Sequence, residues 1–188
     1  MSADPIRLAV IIGSTREGRF GPVIANWFVR QVAMREDFVV DLVDLAEVEW
    51  PPVHPKERTA AVAAYATRIA EADAIVVVTP EYNHSFPASL KHAIDLLHSE
   101  WQRKPVGFVS YGGLSGGLRA VEHLRQVFAE VHAATMRDAV SFHQPWPQFD
   151  EHGELRDPAA AEAAAKVLLD QLGWWGLALR NARRAWPD

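Results

Sequence analysis

Hydroxyl and guanidinium groups crowd residues 12–21 (IGSTREGRFG), which directly follow a short apolar run. The donor side chains in this segment are Ser14, Thr15, Arg16 and Arg19. Gly13 permits a tight turn, and the first N–H groups of a following helix would point toward the same place. Such donors favour binding of an anion, above all a phosphate. The alternative is a hydroxyl-capped turn with solvated arginines, since neither G-x-x-x-x-G-K-[ST] nor G-x-G-x-x-G is present.

A second polar segment, residues 79–91 (TPEYNHSFPASLK), follows another apolar run and leads into a helical pattern near Pro87. Backbone N–H groups around Tyr82 and Asn83 could bond the edge of a heterocycle, and the Tyr82 ring could lie against it. The alternative is an ordinary helix N-terminus with Ser85 as its cap.

Four glycines stand in residues 110–119 (SYGGLSGGLR), again directly after an apolar run. Glycine lets the backbone approach a ligand closely, so a flexible turn is the weaker interpretation at the end of a buried strand. Residues 113–117 also match G-x-S-x-G, the pattern of the nucleophile elbow in α/β-hydrolases, with Ser115 as the nucleophile.

A serine hydrolase is therefore an alternative from a different class of protein. Its acid and histidine would follow Ser115 in that order, and two pairs are available: Asp138 with His143, and Asp150 with His152. A hydrolase leaves the arginine-rich first segment and the Pro-Glu-Tyr-Asn turn without a role. A phosphorylated, flat, aromatic ligand accounts for all three segments together.

The elements that position these segments follow from alternating strand and helix patterns. Five apolar, β-branched runs predict strands at residues 7–12, 38–42, 74–79, 106–110 and 139–142. Helical spacing predicts helices at residues 23–35, 59–72, 85–98, 118–132 and 158–184, the last capped by Asp157 and open to an interruption at Gly173. The alternation predicts an α/β fold, an open parallel sheet with helices on both faces. Ligands bind such sheets beyond the carboxyl ends of the strands, where the three segments lie.

Length and composition narrow the range of functions. With 188 residues we expect one domain, 1–188, large enough to bury a core. A net charge of −5 argues against nucleic-acid binding, and the absence of cysteine excludes disulfides, thiolate metal sites and thiol nucleophiles. The eight histidines show no metal-ligand spacing, so we expect no metal. Without a signal-peptide pattern or an apolar run of about 20 residues, we expect a soluble cytoplasmic protein.

Three regions stand apart from these segments. Proline-rich residues 50–55 and residues 144–156 predict loops that cover sheet edges or a partner surface. Trp174 and Trp175, with nearby arginines, suit either a basic helix at a membrane surface or a terminal helix packed on the core or on a neighbour. We favour the packed helix and expect no membrane binding.

Together the three segments resemble the NAD(P)H-dependent FMN reductases, a family with a flavodoxin-like fold that includes quinone, azo-dye and chromate reductases. The resemblance is carried by residues 13–16 with Arg19, by residues 80–83 with 85–91, and by residues 112–119. Their order and spacing match along about the first 140 residues.

The resemblance implies FMN bound tightly but noncovalently, and a doubly wound sheet of five parallel strands in the order 2-1-3-4-5. The residues implied at the phosphate are Ser14, Arg16 and Arg19. Those implied at the isoalloxazine ring and ribityl chain are Pro80, Glu81, Tyr82 and Asn83. Those implied on the other side of the ring are Ser110, Gly112, Gly113 and Ser115.

The resemblance also implies an enzyme in which the flavin carries the chemistry and no side chain is a catalytic acid or base. Hydride would pass from NADPH or NADH through FMN to a small acceptor, such as a quinone, an azo compound, a metal oxyanion or a flavin, with ping-pong kinetics. A non-enzymatic electron carrier of the flavodoxin type is a further alternative, although flavodoxins are typically more acidic. The family commonly forms homodimers or homotetramers, which predicts pairing through Trp101 and the helix at residues 85–100.

Overall fold

The computed structural model describes residues 4–186, in which strands and helices alternate along the chain. The strands are β1 (Ile6–Ile12), β2 (Phe38–Asp44), β3 (Ala74–Pro80), β4 (Pro105–Gly112), β5 (Ala134–Thr135) and β6 (Val140–His143). The helices are α1 (Gly21–Ala33), α2 (Ala60–Glu71), α3 (Ala88–Asp95), α4 (Leu118–Glu130) and α5 (Ala159–Ala185). The predicted α/β alternation is therefore confirmed.

The strands form one parallel sheet in the order β2-β1-β3-β4-β5, which confirms the predicted order 2-1-3-4-5. The fifth position differs from its prediction because it is built from two short strands. β5 pairs with Pro105 and Val106 at the start of β4, and β6 pairs with residues 109–112 at its end. The second piece carries the chain to the carboxyl edge of the sheet, where β4 also ends.

Apolar packing covers both faces of the sheet, as continuous apolar strands require. Every residue of β3 and β4 is buried. One face packs against α1 and α5, and the other packs against α2, α3 and α4. The carboxyl ends of β1, β3 and β4 consequently meet at one edge of a sheet whose central strands are covered on both faces.

Helix α5 is continuous through Gly173, so the interruption left open at that position is wrong. A Cβ on Gly173 would lie 3.4 Å from Asp37 and 3.5 Å from Phe38, which are ordinary contact distances, so the helix does not require glycine there. The helix begins after Pro158 without a side-chain cap, which corrects the predicted role of Asp157.

The same helix packs on the sheet through apolar residues such as Leu168 and Leu172, in agreement with the packed terminal helix we favoured. Trp174 and Trp175 themselves stay 66% and 40% exposed. Among residues 4–186, no helix combines the length and the apolar character that crossing a bilayer requires.

Trp101 is completely buried, so its predicted place on a dimer surface is wrong. Its indole N–H donates to the carbonyl oxygen of Ile94 at 3.1 Å, and its ring packs edge-on against Tyr65 and Phe128. The helix before it ends at Asp95, and Trp101 then closes a short 3₁₀ turn that folds back on the core. Burying the large Trp101 ring stabilises the fold more than continuing the helix beyond Asp95 would.

Candidate functional site

A cavity of about 450 Å³ opens at the carboxyl edge of the sheet, within the size range of small-molecule sites. Seven of the predicted site residues line it: Arg16, Arg19, Pro80, Glu81, Tyr82, Gly112 and Gly113. The others, Ser14, Asn83, Ser110 and Ser115, lie in the same segments but do not line it. The residues that the sequence reasoning missed are Glu17, Gly18, Phe20, Tyr111 and Trp146.

The loop between β1 and α1 presents unused backbone donors. The N–H of Gly13 donates to Val78 at 2.9 Å and that of Arg19 donates to Arg16 at 3.2 Å. Between them, the N–H groups of residues 14–18 donate to no acceptor within the described part of the chain. Five such groups just before the positive end of a helix dipole favour the binding of an anion.

The two arginines of this loop have different surroundings. Arg19 donates to both carboxylate oxygens of Asp44 at 2.6 Å and to the backbone oxygen of Ser14, also at 2.6 Å. Both partners of this ion pair are largely buried. The exposed Arg16 guanidinium has no ion pair or hydrogen bond with residues 4–186. Arg19 thus braces the loop, and Arg16 presents a guanidinium that is unpaired within residues 4–186, next to the exposed carboxylate of Glu17.

Three hydroxyl groups converge behind the loop. The Ser14 and Tyr82 hydroxyls share a hydrogen bond of 2.7 Å, and Ser14 is completely buried. The buried Tyr111 hydroxyl has no hydrogen-bond partner among the described residues. Burial, reinforced by the neighbouring Tyr82, raises the pKa of Tyr111 and outweighs the opposite effects of the nearby Ser14 hydroxyl and the Arg19 charge, so this phenol stays neutral and can donate.

The Tyr82–Ser85 segment is a tight turn closed by two backbone hydrogen bonds. Tyr82 N–H donates to Ser85 at 2.8 Å, and Ser85 N–H donates to Tyr82 at 3.0 Å. Asn83 and His84 have φ values of 48° and 72°, as a type I′ turn requires. The predicted use of the Tyr82 N–H toward a ligand is therefore wrong, whereas the N–H of the exposed Asn83 has no acceptor among residues 4–186.

Glu81 lies in the cavity wall with its side chain only 6% exposed, and both carboxylate oxygens have polar partners. The Arg119 side chain donates to it at 2.5 and 2.6 Å, and the Ser115 hydroxyl donates to its other oxygen. Burial raises the pKa of Glu81, but hydrogen bonds from Ser115 and Arg119 and the charge of Arg119 outweigh that effect and lower it. Glu81 is thus ionised and neutralised by Arg119 rather than poised to donate a proton.

This arrangement removes the serine-hydrolase alternative. Ser115 donates to Glu81, and neither His143 nor His152 is its hydrogen-bond partner in the described structure. The Nδ1 atom of His143 lies 3.2 Å from the backbone oxygen of Leu114 instead. The acceptor of the Ser115 hydroxyl is instead Glu81, a carboxylate with a lowered pKa that is paired with Arg119 and is therefore a weak base, so the described residues do not place a histidine base beside Ser115.

Ser110 organises the glycine-rich loop from beneath. Its buried hydroxyl donates to the backbone oxygen of Gly116 at 2.8 Å. Gly116 and Gly117 have φ values of 60° and 86°, which residues other than glycine rarely adopt. Their positive φ values let the chain turn sharply from β4 into α4 and leave Gly112 and Gly113 at the cavity wall.

Trp146 stands at the cavity wall on the loop that follows β6, although its side chain is 54% exposed. The loop is braced by the Gln144 N–H, which donates to Gly112 at 2.8 Å, and by the Gln148 side chain, which donates to His143 at 2.5 Å. The sequence signal was available: a tryptophan between two prolines, Pro145 and Pro147, is held in a restricted backbone.

Comparison with known proteins supports the family resemblance that the three polar segments carry. The NADPH-dependent FMN reductase family matches residues 6–147. An NAD(P)H-dependent FMN reductase of Schizosaccharomyces pombe is 40% identical over 126 residues, which cover 59% of this chain and 60% of that protein. An NAD(P)H:quinone oxidoreductase of Solanum tuberosum is 33% identical over 189 residues, which cover 90% of this chain and 93% of that protein.

Solved structures share the fold. A flavoenzyme NAD(P)H:(acceptor) oxidoreductase from Paracoccus denitrificans superimposes with a TM-score of 0.73, over 92% of this chain and 98% of that one, at 20% identity. The family match spans most of the chain and includes the three strand ends that border the cavity. The chain belongs to the NADPH-dependent FMN reductase family, whose members are oxidoreductases.

Proposed function

We propose that this protein is an NAD(P)H-dependent oxidoreductase that holds FMN in the cavity at the carboxyl edge of the sheet. The observation that carries this proposal is the loop between β1 and α1, where five N–H groups without acceptors among residues 4–186 precede the N-terminus of α1. A phosphate dianion matches that donor set. Among phosphorylated ligands, FMN is the one that the family match favours.

The residues that would hold the phosphate are those of this loop. Arg16 offers a guanidinium that has no partner in the described part of the chain, and Ser14 contributes its backbone N–H and its hydroxyl. Arg19, already paired with Asp44, would act chiefly by keeping the loop in shape. This division refines the prediction that Arg16 and Arg19 both lie at the phosphate.

The flat portion of the cofactor would lie along the cavity wall formed by Pro80, Glu81, Tyr82, Gly112 and Gly113. Gly112 suits such a wall because a Cβ there would stand only 3.2 Å from the backbone nitrogen of Gly117. The neutral Glu81–Arg119 pair adds polarity to the wall without adding net charge.

When bound, FMN would accept hydride from NADPH or NADH and deliver electrons to a small acceptor: a quinone, an azo compound, a metal oxyanion or a flavin. Names of relatives favour quinones, since the potato protein is a quinone oxidoreductase and an Escherichia coli protein, 31% identical over 141 residues, is a quinone reductase. We expect ping-pong kinetics, because one cavity would serve both substrates in turn. The chain's own residues would position the reactants and exclude water, with no side chain acting as a general acid or base.

We also propose a homodimer or homotetramer, formed by a surface that does not include Trp101. Sedimentation of the purified protein at micromolar concentration tests this. A single monomeric species would contradict it.

The decisive experiment is an absorption spectrum of the purified protein mixed with FMN and freed of unbound flavin, recorded before and after anaerobic addition of NADPH. We expect flavin bands that remain with the protein and then bleach. Sustained NADPH oxidation with a small quinone would distinguish the enzyme from an electron carrier of the flavodoxin type. Failure to retain FMN would contradict the proposal, and bound FMN that no nicotinamide reduces would favour the carrier.

A further inference from the structure

Two tyrosine hydroxyls in the described part of the chain are buried without a hydrogen-bond partner, those of Tyr65 and Tyr111. A buried polar group left unpaired is unfavourable, and native proteins retain few of them without a reason. Tyr65 lies in α2, packed against Trp50 and Trp101 on the opposite face of the sheet. Nothing in the structure assigns a partner to that hydroxyl.

The Tyr111 hydroxyl lies in a different place. It stands 3.1 Å from the point where a Cβ on Gly21 would lie, and Gly21 is the first residue of α1. The Ser14 side chain approaches the same point to 4.0 Å. The unpaired phenol is therefore at the helix end where the loop presents its free N–H groups, and glycine at position 21 leaves the space it occupies.

Other side chains around it have partners. The Ser14 and Tyr82 hydroxyls share one hydrogen bond, which leaves one of their two O–H donors for a ligand, and Arg19 is bound to Asp44 and to the Ser14 backbone. The Tyr111 O–H is thus an uncommitted neutral donor next to the loop. Tyr111 also belongs to the cavity lining.

We propose that the Tyr111 hydroxyl donates a hydrogen bond to the phosphate of FMN. The hydroxyl has no partner among the described residues because its acceptor is this phosphate. This inference rests on the proposed function. It assigns a phosphate-binding role to a residue at the end of β4, two strands away from the phosphate loop. It also predicts that the apoprotein is destabilised by a group that serves the cofactor.

The test compares Tyr111→Phe with Tyr65→Phe, because each removes one unpaired buried hydroxyl and nothing else. Thermal unfolding of the apoproteins and flavin binding by fluorescence titration are measured for both variants and the wild type. We expect both substitutions to raise the apoprotein Tm by roughly 2–4 °C, since each removes an unsatisfied polar group. Only Tyr111→Phe should weaken FMN binding, by about tenfold or more, because a hydrogen bond to a charged oxygen is lost.

Riboflavin, which lacks the phosphate, identifies the interaction. Its affinity should be the same for Tyr111→Phe and the wild type. Equal FMN affinity of Tyr111→Phe and wild type would overturn the inference, as would an equal loss for riboflavin, which would place the hydroxyl elsewhere on the flavin. Failure of the wild type to bind FMN would instead contradict the proposed function, so the two failures are distinguishable.

Discussion

Arg16 and Arg19 are three positions apart in the same loop, yet their guanidinium groups have different partners and different roles. Arg19 is tied to Asp44 and to the loop backbone, whereas Arg16 is exposed and unpaired within residues 4–186. Their substitutions should therefore separate binding from stability.

We expect Arg16→Gln to leave the apoprotein's free energy of unfolding within about 0.5 kcal/mol of wild type and to weaken FMN binding by about tenfold. Arg19→Gln should lower the free energy of unfolding by roughly 2–3 kcal/mol, because Asp44 then lacks its buried partner. Urea denaturation of the apoproteins and FMN titration measure the two effects. Equal stability of the two variants would contradict the bracing role of Arg19.

Lys104 is a buried amine far from the cavity lining. It donates to the backbone oxygens of Ile69 and Ala70, the latter at 2.7 Å, where α2 ends. Burial, together with the nearby charge of Arg183, lowers the pKa of Lys104 to about 7, although Asp73 and Glu100 act in the opposite direction. An uncharged amine can still donate both hydrogen bonds.

This lowered pKa makes stability depend on pH. Between pH 7 and pH 10.5 the unfolded chain keeps the Lys104 proton that the folded chain has released. Because the unfolded state then binds more protons, this group makes the folded state more stable as pH rises through that range. Below about pH 7 both states are protonated, and the contribution no longer changes with pH.

Lys104→Met keeps the length of the side chain and removes the amine, so it should abolish the contribution of Lys104 to the pH dependence of stability. Between pH 7 and pH 9.5, we expect the urea midpoint of the wild type to rise relative to that of Lys104→Met. The variant should be less stable than the wild type throughout, because two carbonyls lose their donor. Midpoints that change in parallel would show that Lys104 is charged in the folded protein.

At the scale of elements, the loop after β6 brings Trp146 to a cavity built by distant parts of the chain. Its bracing hydrogen bonds at Gln144 and Gln148 hold the backbone, and burial of Phe149 against Phe20 anchors the segment that follows. A large apolar ring kept half in solvent on a braced loop favours contact with a flat ligand.

Trp146→Ala should raise the KM for an aromatic acceptor such as a quinone roughly threefold to tenfold, the effect of losing one stacking contact. Its Tm should stay within about 2 °C of wild type, because the ring is not part of the core. Trp174→Ala is the matched control, since that ring is 66% exposed on α5 and lines no part of the cavity. Equal KM values for the two variants would show that Trp146 does not contact the acceptor.

For the whole molecule, cofactor binding and folding should be coupled, because the phosphate loop, the 82–85 turn and the glycine-rich loop all depend on one sheet edge. FMN at about one hundred times its Kd should add about 2.7 kcal/mol to the folded state. For a chain of this length that raises Tm by roughly 5–10 °C. Scanning calorimetry with and without FMN measures it, and an unchanged Tm at saturation would mean that FMN does not bind the native state preferentially.

The order of strands and helices, and the gathering of three polar segments at one sheet edge, could be predicted from the amino-acid pattern. Apolar runs alternating with helical spacing leave few arrangements for a parallel sheet, and connections in such sheets have a consistent hand. The positions of Arg16, Tyr82 and Gly112 at the cavity follow from that topology, because each directly follows or ends a buried strand.

The partners of individual side chains were decided only by the tertiary structure. Arg19 and Asp44 are 25 positions apart, and Glu81 and Ser115 are 34 apart, so no local pattern links them. The burial of Trp101 likewise depends on how α2 and α4 pack around it. Sequence periodicity records which face of an element is apolar, whereas ion pairs and unpaired hydroxyls depend on distances between elements that are set when the core closes.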